Sequence, residues 1–122
     1  VNMQKLPADA CQISELIAAT RAEGETALAV MPEDLVGYVR QYDASIRLLY
    51  GRRSKSEKPV RKIRRQMRKE QPKIKKLIRR IRQQGVNYLV FLADEQQDTK
   101  IRRNGFEKIG KVGGYSVYKD KW

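Results

Sequence analysis

Val86-Asn87-Tyr88-Leu89-Val90-Phe91-Leu92-Ala93, set between Gly85 and Asp94, is a nearly continuous apolar run. Such a run suits a β-strand buried on both faces. Beyond it, Glu95 to Asn104 reads as a short polar helix or turn. Glu107 to Val112 and Tyr115 to Asp120 then read as two strands joined at Gly113-Gly114. Glycines supply the positive φ angles that a two-residue hairpin turn requires.

Upstream of Gly85 the pattern is helical. Val60, Ile63 and Met67, then Ile74, Leu77 and Ile81, recur at steps of three and four with Glu70 as the one missing member. This predicts a long helix with a narrow apolar seam and a basic circumference. A proline inside a helix removes a hydrogen bond and clashes with the previous turn, so Pro72 predicts a kink or short break near Gln71, with pieces over 57–70 and 72–84. Pro59 falls in a first turn, where its missing N–H costs nothing. The polar stretch from Gly51 to Lys58 reads as a mobile loop. Pro32 opens a second helix, expected to run through Leu35, Val39, Tyr42, Ile46 and Leu49 to Gly51. Thr26 to Val30 suits a short strand. Asp9 to Glu23 reads as a first helix, with Asp9 as cap, Gln12 three residues on, Ile13, Leu16 and Ile17 on one side, and Gly24 as its stop. Val1 and Asn2 read as a cloning remnant ahead of a native start at Met3.

The expected fold class is α/β (α+β), with N-terminal helices and a kinked basic helix packed on a small sheet that ends in a hairpin. A length of 122 residues suits one domain. Its parts would be a basic helical segment over 52–84 and the strand, short helix and hairpin over 86–120.

With 27 Lys and Arg against 14 Asp and Glu, the chain carries a formal charge of +13. Between Arg52 and Gln83 stand sixteen basic residues against only Glu57 and Glu70, so the whole excess resides in one segment. Like charge concentrated this way repels itself, and a polyanion relieves the repulsion. Nucleic acid, DNA or RNA, heads the list of partners. The candidate phosphate-binding residues are Arg52, Arg53, Lys55, Arg61, Arg64, Arg65, Arg68, Lys69, Lys73, Lys76, Arg79, Arg80 and Arg82. Arginine and lysine grip phosphates and fix position without reading bases, so modest sequence specificity is expected of an accessory or regulatory factor. No aromatic residue lies between Arg52 and Gln83, which favours a duplex or a structured RNA over a single strand. An acidic protein partner and a merely solvated basic face remain open, as does the oligomeric state. No apolar run is long enough for a signal or a membrane span, the seam carries no Trp or Phe for membrane insertion, and the single Cys11 has no internal disulfide partner. A cytoplasmic setting without membrane contact follows as the expectation.

The stretch from Ile74 to Asp120 contains the helix, Gly85, the apolar strand, the short helix, Arg103-Asn104-Gly105-Phe106-Glu107-Lys108-Ile109-Gly110 and the hairpin. In that order and phrase it resembles the C-terminal half of GNAT-type N-acetyltransferases, where a phrase like Gly-Phe-Glu-x-x-Gly opens the last two strands. The resemblance implies a GNAT-like arrangement of these elements and, as an alternative function, an N-acetyltransferase or a catalytically inactive relative. The family's Gly-rich acetyl-coenzyme A loop has no counterpart, since Lys55 to Lys58 contains no glycine. Ile101 stands where the family often has a tyrosine acid, and it has no proton to donate. No cofactor is expected.

The chain has no histidine, which removes Ser-His-Asp, Cys-His and most zinc chemistry. Asp94, Glu95 and Asp98 cluster past the end of the apolar strand, where carboxylates either hold Mg²⁺ or serve a helix. The favoured reading is structural, with Asp94 as a cap and Glu95 and Asp98 set against the dipole of the first turns. Tyr115 and Tyr118 are read as hairpin packing residues. No catalytic or metal-binding residue is assigned.

Overall fold

The computed structural model describes residues 5–49 and 58–121. The first helix, α1 (Lys5–Thr20), buries Ala10, Ile13 and Ile17 on one face. It begins earlier than expected, which corrects the role of Asp9. Asp9 lies within the helix on its buried side, against the Gly113 turn, and caps nothing. A short strand, β1 (Leu28–Val30), follows.

The next helix, α2 (Glu33–Tyr42), starts after Pro32 but stops well short of Gly51. The reason is local. The Asp43 carboxylate accepts hydrogen bonds from the Ser45 backbone N–H at 3.0 Å and from its hydroxyl at 2.6 Å, and such side-chain bonds compete with the helical ladder. The chain turns there, Ile46 drops into the core, and Arg47–Leu48 forms the edge strand β2. The remaining elements are α3 (Lys58–Met67), α4 (Ile74–Gln83), β3 (Tyr88–Phe91), α5 (Glu95–Arg103), β4 (Phe106–Val112) and β5 (Tyr115–Asp120).

The five strands form one mixed sheet in the order β2-β1-β3-β5-β4. β1 runs parallel to β2 and β3, whereas β5 runs antiparallel to β3 and β4. The apolar run is the central strand, and all four residues of β3 are buried. Their alternation feeds two cores. Tyr88 and Val90 join Ile13, Ile17 and Val39 beneath α1 and α2, and Leu89 and Phe91 join Ile63, Leu77, Ile81 and Ile101 beneath α3, α4 and α5. The chain thus leaves β1 by a helix on one face and returns to β3 by helices on the other. Burying each such large side chain contributes roughly 1.5–3 kcal/mol.

The hairpin carries a β-bulge between Lys108 and Gly110, opposite Tyr118 and Val117. One extra residue exchanges the faces of a strand. Phe106 therefore enters the core under α5 while Ile109 and Val112 face α1. Gly110 passes so close to Leu16 that a Cβ there would lie 2.5 Å from its Cδ2. At the turn, Gly113 has φ +57°, as the glycine pair predicts.

Candidate nucleic-acid interface

The basic segment is two helices, and the break between them is complete. At its turn the buried Gln66 accepts a hydrogen bond from the Lys73 backbone N–H at 3.1 Å, and Gln97 of α5 reaches the Glu70 carbonyl at 3.5 Å. Gln66 thus satisfies one of the orphan N–H groups at the start of α4. The chain folds back at Pro72, so that α3 and α4 lie side by side. The seam predicted for one long helix is shared between them: Ile63 from α3, and Ile74, Leu77, Ile78 and Ile81 from α4, enter the same core. Gln66 and Ile78 stand outside the predicted seam, and both are buried.

With the apolar side consumed by the sheet, the cations are left outward. Arg61, Arg65, Arg68, Lys69, Lys73 and Arg79 are exposed, and Lys76 and Arg80 are partly so. Folding back brings the two helices' charges together. The Lys62 ammonium is held below the ordinary lysine range, first by Arg80 across on α4, then by Lys58, by burial, and by Lys76 and Arg65. Among the described residues no carboxylate pairs with Lys62, Lys76 or Arg80. On the other flank of α3, Arg61, Arg64, Arg65 and Arg68 line an open groove.

Among the described residues, Arg64 and Arg82 are tied into the fold, and Arg68 lies 3.9 Å from the Glu33 carboxylate. Arg64 donates through Nε to Glu33 at 2.9 Å and pairs with the same carboxylate through Nη2. Arg82 binds Asp120 with Nε–Oδ2 and Nη2–Oδ1 both at 3.0 Å, donates to the Asn104 carbonyl, and covers the Phe106 ring at 5.1 Å. It clasps α4 to the end of the hairpin. Arg52, Arg53 and Lys55 lie outside the described residues, as does most of the predicted loop. Sequence reading passed over Lys58, Lys62 and Lys75 as site residues, although all three lie within the charge run. It also passed over Lys100 of α5, which meets Lys73 and Lys75 around the Pro72 turn. Nothing in the local pattern of Lys100 separates it from an ordinary surface lysine.

The carboxylates after β3 take the structural role. Asp94 caps α5, accepting from the Gln97 N–H at 2.8 Å while Gln97 Oε1 accepts from the Asp94 N–H at 3.0 Å. Asp98 accepts a 2.6 Å hydrogen bond from the Tyr118 hydroxyl and lies within 3.7 Å of Arg102 and Lys108. Burial alone would push its pKa up, but the Tyr118 bond and the two cations together hold it below the ordinary carboxylate value. Among the described residues no group of acids or thiols has the geometry to hold a metal ion. Nor is any described helix long and apolar enough to cross a membrane. Ile101 is fully buried. Comparison with protein-family models, curated proteins and solved structures finds no match to this chain.

Proposed function

We propose that this protein holds nucleic acid on the outer face of the α3–α4 hairpin, as a phosphate-binding accessory factor in the cytoplasm. One observation carries the reading: Lys62 is crowded by Arg80, Lys58, Lys76 and Arg65, and among the described residues no carboxylate pairs with them. Gathering like charges against a packed core costs folding free energy, and a bound polyanion returns it. Two helices supply the cations, so they form a surface instead of a single row. A surface of this kind suits the backbone of a duplex or of a structured RNA. Contacts of this sort are to phosphates and tolerate changes of sequence.

The test is fluorescence-anisotropy titration with a duplex DNA and a structured RNA over a range of salt. Binding is expected to weaken steeply with salt and to be insensitive to scrambling of the sequence. The triple variant Lys62→Ala, Arg65→Ala, Arg80→Ala should flatten the slope of log K against log salt by about 3, roughly one per lost phosphate contact. Absence of binding at low salt would overturn the proposal and direct attention to an acidic protein partner.

A further inference from the structure

Beside the arginine groove, at the carboxyl ends of β1 and β2, lies a slot of about 100 Å³. Its walls are apolar, formed by Met31, Leu49 and Met67, while Glu33, Arg64 and Arg68 surround its mouth. In sheets of this topology the crevice outside the carboxyl ends of parallel strands, where the chain departs to opposite sides, is the usual place for a ligand. β1 is that point here, with β2 on one side and β3 on the other.

The slot and the groove share Arg64 and Arg68. Both lie against Glu33, and Arg61 and Arg65 continue the groove beyond them, so an occupant combines a body that accepts apolar walls with a negative charge farther along the groove. A phosphate alone would gain nothing from Met31, Leu49 and Met67. A nucleotide has both parts. Flat aromatic rings pack well against thioethers and guanidinium planes, so the lack of an aromatic residue in the described lining does not bar a base. A dry cavity of about 150 Å³ takes a benzene ring, so a slot of this size with an open mouth takes the edge of one ring. The Glu33 carboxylate at the mouth takes Arg64 on Oε1, and its Oε2 can accept a hydrogen bond from an amino group, which favours bases that carry one.

We infer that the slot receives one unpaired nucleobase of a bound strand while Arg61 and Arg65 hold the neighbouring phosphates. The inference rests on the nucleic-acid reading above and makes it more specific. The preferred ligand becomes a stem with an adjoining loop, recognised by charge along the stem and by one base at its end.

The experiment compares four probes of equal phosphate count against the full chain at one salt concentration. They are a blunt duplex, a hairpin with a cytosine loop, the same hairpin with a thymine loop, and the same hairpin with abasic loop positions. The cytosine hairpin is expected to bind about tenfold more tightly than the duplex and the abasic hairpin, in line with the worth of one stacked base. The thymine hairpin, which lacks the amino group, should fall between. Met67→Trp fills the slot without changing charge and should reduce all four probes to the affinity of the duplex, with the salt slope intact. Equal, salt-sensitive binding of all four probes by the wild-type chain would overturn the slot and leave the basic face standing. Loss of binding to every probe at low salt would overturn both. The abasic probe needs no change in the protein, so the outcome does not depend on the folding of Met67→Trp.

Discussion

Asp98 shows how one carboxylate links the hairpin, α5 and the pH dependence of the fold. It accepts from Tyr118 at 2.6 Å and faces Lys108 and Arg102, and its pKa in the folded chain lies below the ordinary value. A group depressed in this way contributes stability above its unfolded pKa, about 4, and loses it as pH falls through the lower folded value. Asp98→Asn is therefore expected to lower stability at neutral pH by about 1–3 kcal/mol and to shorten the acid-induced loss below about pH 4. Urea denaturation across a pH series measures both effects. Part of the acid sensitivity should persist in the variant. Burial pushes the Glu25 pKa up, but its bonds with Tyr88 and Lys119 prevail and lower it as well. The chemistry of Asp94 was legible in the chain because a cap acts on backbone groups two or three residues away. That of Asp98 was not, since its partner Tyr118 lies 20 residues on.

The elements followed the sequence wherever their cause was local. The buried strand, the capped α5 and the glycine-turned hairpin formed at the expected places, because apolar runs, caps and positive φ act within a few residues. One expectation failed at a turn, while the break at Pro72 came where the proline predicted it. The second helix ended at Tyr42, where Asp43 and Ser45 offered the backbone other bonds, and Ile46 and Leu49, which a helix would place on one face, instead flank β2 and enter opposite cores. At Pro72 the apolar spacing continued in register and could not reveal that the chain reverses. Residues of α3 and α4 that enter the shared core must carry the stability of the pair. Ile78→Ala in α4, at 2% exposure, is expected to cost about 2–4 kcal/mol, whereas Lys75→Ala on the opposite face should stay within about 0.5 kcal/mol. Equilibrium chemical denaturation of the two variants checks the contrast.

Across the whole molecule the charge is uneven, with +13 in total and its excess in residues 52–83, most of it on the α3–α4 hairpin. Self-repulsion of that hairpin should make the fold less stable at low ionic strength, because salt screens the crowded cations. A thermal scan is expected to show Tm rising with salt, and rising further when a short polyanion is added at low salt, by the linkage between binding and folding. An unchanged Tm in both series would mean that the cations are already compensated within the fold. The sequence by itself determined where the charge lies, which segment fills the centre of the sheet and how the hairpin turns, since each depends on residue type and near neighbours. Only the tertiary structure decided which cations meet. Lys62 faces Arg80, Arg64 is held by Glu33 and Arg82 by Asp120, because Coulomb and hydrogen-bond energies depend on distance in space, and residues 18 to 38 positions apart approach only when the helices pack on the sheet.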